Sequence, residues 1–95
     1  MQRIGDAVRA HEPDLVIVIG NDHGDDFIVR SVPALMFHCG PRAAGRDGHA
    51  GHWAVDGEAG YALLEAMQAE GFDPAFTLDA PLGTFFTIPI EYMGW

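Results

Sequence analysis

An uninterrupted run of five aliphatic residues, Leu15–Ile19, most constrains the fold of this 95-residue chain. Four of the five are β-branched, and Gly20 closes the run. This pattern predicts a strand buried on both faces, as strands of α/β proteins commonly are. A polar turn, Asn21-Asp22-His23, follows directly. Because binding groups in open α/β sheets collect just beyond the carboxyl ends of strands, the run and the turn together predict a functional site.

The rest of the chain predicts an alternation of helices and strands. Residues 2–11 have helical apolar spacing, and Glu12-Pro13 stops that helix because a residue before proline is disfavoured in the α region. Asp56 can cap a second helix, which Gly71 ends. The apolar stripe of the second helix consists of Ala59, Ala62, Leu63, Ala66 and Met67. The other predicted elements are strands at 32–37, 75–78 and 84–90 and a long glycine-rich loop at 41–53. This order, α-β-β-α-β-β, predicts an α/β fold with a mixed sheet flanked by helices.

Composition and charge exclude several classes of partner. Fourteen acidic residues oppose five basic ones, giving a formal net charge of −9, so a phosphate backbone would be repelled and nucleic acid is not expected. No apolar run approaches the roughly 20 residues of a membrane helix, and the first residues hold no apolar signal segment, so we expect no membrane partner and a cytoplasmic location. The single cysteine, Cys39, is predicted to be a small buried hydrophobic residue.

The Asn21-Asp22-His23 turn has two interpretations. A neutral imidazole is a good ligand for Fe(II), and an adjacent carboxylate can orient it from outside the coordination sphere. His23 is then a metal ligand, with Asn21 and Asp22 as its supporting residues. In the alternative, Asn and Asp satisfy nearby backbone groups in an ordinary turn, and the motif has no chemical role.

The segment from Pro13 to His23 resembles the strand and metal-histidine turn of the class III extradiol ring-cleavage dioxygenases (LigB-type). Further short stretches are similar to successive blocks of the same family. They are Phe27, Pro33-Ala34-Leu35, Phe37-His38-Cys39-Gly40, the helix from Val55 into Glu70-Gly71-Phe72-Asp73, and Gly83-Thr84-Phe85 leading to Pro89-Ile90. The similarity spans most of the chain, and the strand with its Asn-Asp-His turn is the specific part.

The resemblance implies a non-haem Fe(II) enzyme that inserts dioxygen into a catechol-type ring. Family members hold Fe(II) with two histidines and one glutamate, and His23 corresponds to one of these ligands. The other two ligands belong to segments upstream and downstream of the matching region. The resemblance therefore implies that residues 1–95 form a single partial domain, an incomplete part of a larger α/β domain.

One departure from the family pattern concerns its acid/base histidine. The family supplies that histidine from an Asp-His-Gly motif, whereas this chain reads Leu78-Asp79-Ala80, so Asp79 is the candidate catalytic residue that the resemblance retains. Proton transfer by a positioned group contributes about 10²–10⁴-fold in rate. Loss of the histidine favours an alternative, in which the chain is a catalytically inactive relative that binds a small aromatic molecule or a metal, or an oligomer-interaction subunit.

The other histidines are weaker metal candidates. His11 and His23 flank the predicted strand, and five extended residues at about 3.3 Å each keep them too far apart to share a metal. His38 is predicted to be a half-buried packing residue. It lies at the opposite end from His23 if its strand is antiparallel to the predicted strand at Leu15–Ile19. His49 and His52 lie in the predicted loop, where they either chelate a metal or are simply solvated.

Aromatic residues concentrate near the end of the sequence. Phe85, Phe86, Tyr92 and Trp95 are predicted to pack in a core or an oligomer contact, and the alternative is the wall of an aromatic substrate pocket. Exposed sheet edges in an acidic chain favour self-association, so we expect a homo-oligomer or a partner subunit.

Overall fold

The computed structural model describes residues 2–21, 33–46 and 51–95 of the chain. Within these ranges it contains three helices and four short strands. In chain order they are α1 (Gln2–Ala10), β1 (Met36–His38), β2 (Arg42–Ala44), β3 (His52–Ala54), α2 (Gly57–Ala69), β4 (Ala75–Thr77) and α3 (Thr84–Tyr92). The predicted α/β class is confirmed, and the strands form two small sheets, one parallel and one antiparallel. None of these three helices is long and apolar enough to cross a membrane.

The parallel sheet consists of β1 and β4, with His38 opposite Thr77. The Cys39 N–H extends the ladder by donating to the Thr77 carbonyl over 2.8 Å. Helix α2 lies between the two strands in the sequence and packs against β1. The strand predicted at 75–78 is confirmed, whereas the one predicted at 32–37 begins only at Met36. Because the strands are parallel, residues that follow them lie at one edge of the sheet.

The antiparallel sheet occupies part of the stretch predicted to be a long loop. Strands β2 and β3 pair with Ala43 opposite Trp53, and Ala43 is buried. A loop spanning all of 41–53 is therefore wrong, and residues 47–50 lie outside the described ranges. Each strand has only three residues, too few for an alternating pattern to stand out in the sequence.

Helix α2 has the two end signals that the sequence predicts. The Asp56 side chain accepts a hydrogen bond from the Ala59 N–H over 3.0 Å, and Gly71 has φ +93°. The Phe72 N–H donates to the Met67 carbonyl over 3.0 Å, which completes a Schellman motif. The predicted apolar stripe is only partly correct, because Leu63 is exposed and Leu64 is the helix residue in the core.

The strand predicted at 84–90 is wrong, because these residues belong to helix α3. The Gly83 carbonyl accepts hydrogen bonds from the N–H groups of Phe86 and Thr87, which starts the helix. Thr87 and Ile90, three residues apart, are both buried. Burial at helical spacing has overridden the strand preference of a β-branched and aromatic segment. Pro89 lies inside the helix, where its nitrogen donates no hydrogen bond.

Helix α1 confirms the helix predicted at 2–11, and the segment after it contradicts the strand predicted at Leu15–Ile19. That segment has no strand assignment and forms no ladder with any other described residue. Its side chains are 41% to 91% exposed, with Ile19 the most exposed. A strand requires a hydrogen-bonded neighbour, and β-branched residues alone do not supply one.

Candidate functional site

The carboxyl edge of the parallel sheet brings together polar groups from two distant parts of the sequence. His38 ends β1, and Asp79 and Ala80 follow β4. The Thr77 hydroxyl oxygen accepts hydrogen bonds from the Asp79 N–H over 3.4 Å and the Ala80 N–H over 3.0 Å. These bonds turn the chain at the strand end and place Asp79, the predicted catalytic residue, on the surface close to His38.

The environment of His38 favours a neutral imidazole. The Gly40 N–H donates to its Nδ1 over 3.3 Å, so the proton of the neutral ring is on Nε2. Nε2 is buried, and although the Ala80 backbone is near, no described group has hydrogen-bond geometry to it. Desolvation lowers the pKa of His38 below 6.5, while the Ala80 backbone and the Asp79 carboxylate oppose that shift. His38 is half-buried, as predicted.

This pKa shift makes folding depend on pH. Below pH 6.5 the unfolded chain binds a proton at His38 that the folded chain resists, so the free energy of unfolding falls as pH falls. Chemical denaturation at about pH 7.5 and about pH 5.5 measures how much the free energy of unfolding decreases between the two pH values. This decrease should be smaller for His38→Gln than for the original chain. His52→Gln, at an exposed histidine in β3, should keep the original loss. Equal losses in the original chain and His38→Gln would contradict the prediction.

Cys39 is buried beside His38, as predicted for a small hydrophobic residue. Burial raises the pKa of the Cys39 thiol, so the reactive thiolate is disfavoured. A Cβ added at Gly57 would lie 2.4 Å from the Cys39 carbonyl oxygen, so the first turn of α2 needs glycine at this contact. Cys39 therefore has a packing role between β1 and α2.

A shallow depression of about 490 Å³ opens next to this contact. Its surface is largely apolar, and the Asp56 carboxylate at its rim is engaged in capping α2. The lining residues are Cys39, Pro41, Val55, Asp56, Gly57, Glu58 and Tyr61. The depression offers apolar contact rather than a set of converging polar groups.

The predicted iron site lies mostly outside the described residues. Asn21 is described and exposed just after the aliphatic run, whereas Asp22 and His23 fall in the undescribed range 22–32. Over residues 2–21, 33–46 and 51–95, no three His, Cys, Asp or Glu side chains form a group that could hold a metal ion. Fe(II) binding at His23 therefore stays a prediction.

The remaining histidines are placed separately. His11 follows α1 and is exposed. His52 lies in β3 opposite Ala44, which corrects its predicted position in a loop, and His49 is outside the described ranges. Chelation by His49 and His52 therefore stays a prediction.

The terminal aromatic residues have mixed surroundings. Phe85 and Tyr92 are 49% and 63% exposed, while the Phe86 ring packs over Gly20. The Trp95 carbonyl accepts a hydrogen bond from the Trp53 indole over 3.2 Å, which ties the chain end to β3. Phe86 and Trp95 thus make packing contacts, and Phe85 and Tyr92 present aromatic surface.

The edge formed by His38 and Asp79 was missed by the sequence analysis. This edge can be recognised only from the parallel pairing of β1 with β4, which joins segments far apart in the chain. Comparison with known proteins finds no matching family and no matching curated protein. The resemblance to extradiol dioxygenases therefore stays a prediction from the residues themselves.

Proposed function

We propose that this chain is part of a non-haem Fe(II)-dependent extradiol dioxygenase that cleaves a catechol-type aromatic ring with dioxygen. The observation that carries the proposal is the segment Pro13 to His23, in which an aliphatic run leads directly into Asn21-Asp22-His23. The described part of this segment has no strand assignment, so the support comes from the residues themselves.

Within this proposal each site residue has a defined role. His23 is an iron ligand, and Asn21 and Asp22 orient it. Fe(II), when bound, supplies adjacent open positions for the catechol oxygens and dioxygen. Asp79 is the acid/base candidate, exposed at the edge where His38 supplies a neutral ring. The remaining iron ligands come from chain segments outside the 95 residues or from a partner.

A second function is favoured by one observation, the alanine at position 80. Without a histidine there, the chain fits a catalytically inactive relative that binds a small aromatic molecule or a metal, or that serves as an oligomer-interaction subunit. The largely apolar depression beside Tyr61 agrees with contact to an aromatic molecule. With either function, we propose a cytoplasmic protein that acts as a homo-oligomer or with a partner subunit.

The coding DNA on both sides of this frame separates the two functions. The dioxygenase requires an upstream histidine-bearing strand end and a downstream glutamate, in this frame or in a partner. The protein made with those segments should consume dioxygen when given Fe(II) and catechols. A matched variant with alanine at its position corresponding to His23 should consume none. If those segments are missing, or if dioxygen uptake is zero, the binding function replaces the enzymatic one.

A further inference from the structure

The His38 side chain holds the backbone that leaves the parallel sheet. The Gly40 N–H donates to His38 Nδ1 over 3.3 Å, two residues beyond the end of β1. Gly40 packs so closely against the Leu78 carbonyl that a Cβ at this position would overlap it. The hydrogen bond therefore lies where the turn after β1 meets the segment after β4, and only a ring with a free lone pair on Nδ1 can accept it.

Gly40 also connects the two small sheets. It lies between β1 and β2, and the carbonyl of the next residue, Pro41, accepts a hydrogen bond from the Val55 N–H over 3.0 Å. Cys39 and Pro41, on either side of Gly40, line the shallow apolar depression. A change in the backbone at Gly40 therefore reaches one wall of that depression.

The second ring nitrogen of His38 lies on the side of the turn after β4. Nε2 is buried without a hydrogen-bond partner among the described residues. Burial lowers the pKa of His38, whereas the Ala80 backbone and the Asp79 carboxylate raise it. The neighbours from β4 and α2 are uncharged: Thr77 is opposite His38, and Gly60 lies against its carbonyl. Burial also raises the pKa of the adjoining Cys39 thiol, which stays neutral. Asp79 is thus the described charge that a protonated ring would approach.

We infer that His38 is a pH-sensitive switch, in which the neutral ring holds the Gly40 N–H and the protonated ring releases Gly40 and binds the Asp79–Ala80 turn. A proton taken from solvent onto Nδ1 leaves two N–H donors facing each other, so the bond to Gly40 is lost. The new positive charge is attracted to the Asp79 carboxylate. The switch requires neither iron nor ring cleavage, so its failure would leave the proposed function untouched.

Nuclear magnetic resonance of the full chain tests the switch. As pH falls, the Gly40 amide proton should shift with the same midpoint as the His38 ring protons, and its protection from hydrogen exchange should fall at least about threefold. The Gly71 amide, which donates to the Gln68 carbonyl at the end of α2, should keep its shift and protection. A Gly40 amide that does not follow the His38 midpoint would overturn the inference. A Gly71 amide that follows it would also do so, because the change would then be general unfolding.

A substitution at His38 tests whether its ring is the titrating acceptor. His38→Asn keeps an oxygen acceptor near the Nδ1 position but takes up no proton in this pH range, so protection of the Gly40 amide should no longer depend on pH. His52→Asn, at an exposed histidine in β3, should keep the original dependence. A pH response at Gly40 that persists in His38→Asn would overturn the inference. The original chain decides the question by itself if His38→Asn does not fold.

A substitution at Asp79 tests the protonated state. Asp79→Asn removes the charge that favours the protonated ring, so the shared midpoint of His38 and Gly40 should move to lower pH. Asp73→Asn is the matched control, because Asp73 is exposed and precedes β4, at the opposite end of that strand. It should leave the midpoint unchanged. An unmoved midpoint in Asp79→Asn, or an equal movement in both variants, would overturn the inference.

Discussion

Leu64→Ala is expected to lower the free energy of unfolding by about 2–5 kcal/mol, because it leaves a cavity at the point where α2 enters the core. Leu64 is 7% exposed, and α2 packs against β1. Of the described hydrophobic residues, the buried ones are Cys39, Ala43, Leu64 and Ile90. In a small domain of marginal stability, such a loss is a large fraction of the total.

Leu63→Ala is the matched control for this prediction. Leu63 precedes Leu64 in the same helix and is 37% exposed against 7%, so the same substitution removes less buried surface and leaves no enclosed cavity. Its expected cost is therefore smaller than that of Leu64→Ala. Urea denaturation followed by circular dichroism measures both variants against the original chain. Equal losses in the two variants would show that α2 does not use Leu64 as its core contact.

The features predicted correctly from the sequence are mainly local. The capping side chain of Asp56 and the left-handed Gly71 act on residues only a few positions away, so both ends of α2 can be found from the sequence. Pro13 similarly limits α1. The short strand at Ala75–Thr77 also lies where an apolar stretch follows a turn.

The wrong predictions depended on contacts between distant parts of the chain. The composition of residues 84–90 favours a strand, but burial of Thr87 and Ile90 favours a helix. The aliphatic run Leu15–Ile19 favours an extended backbone, yet no described segment lies beside it to form a sheet. Local sequence preference limits which secondary structures a segment can adopt, and contacts with neighbouring segments determine which of them forms.

As with the fold, only the local features of the candidate site could be predicted from the sequence. Asn21-Asp22-His23 could be predicted as a site because it directly follows the aliphatic run, and the metal chemistry proposed for it rests on the side chain of His23. The proximity of His38 to Asp79 could not be predicted from the sequence, because it follows from the register of β1 with β4. The sequence placed His38 at the far end only if its strand ran antiparallel to Leu15–Ile19, and β1 pairs instead with β4.

His23→Ala is expected to weaken Fe(II) binding at least about tenfold, since loss of even an outer-shell partner of a metal ligand commonly costs 10–100-fold in affinity. The other ligands implied by the resemblance have no matched position in this chain, so His23 is its one assigned contributor. Binding should also weaken as pH falls, because only neutral imidazole binds metal.

Anaerobic Fe(II) titration of the protein made with the upstream histidine and downstream glutamate segments, and of its His23→Ala and His11→Ala variants, therefore tests the central claim most directly. His11 is an exposed histidine on the other side of the aliphatic run, so its replacement controls for loss of an imidazole elsewhere. We expect the unsubstituted protein and its His11→Ala variant to bind Fe(II) with equal affinity and the His23→Ala variant to lose this binding. Unchanged affinity in His23→Ala, or no binding by the unsubstituted protein, would contradict the assignment of His23 as an iron ligand.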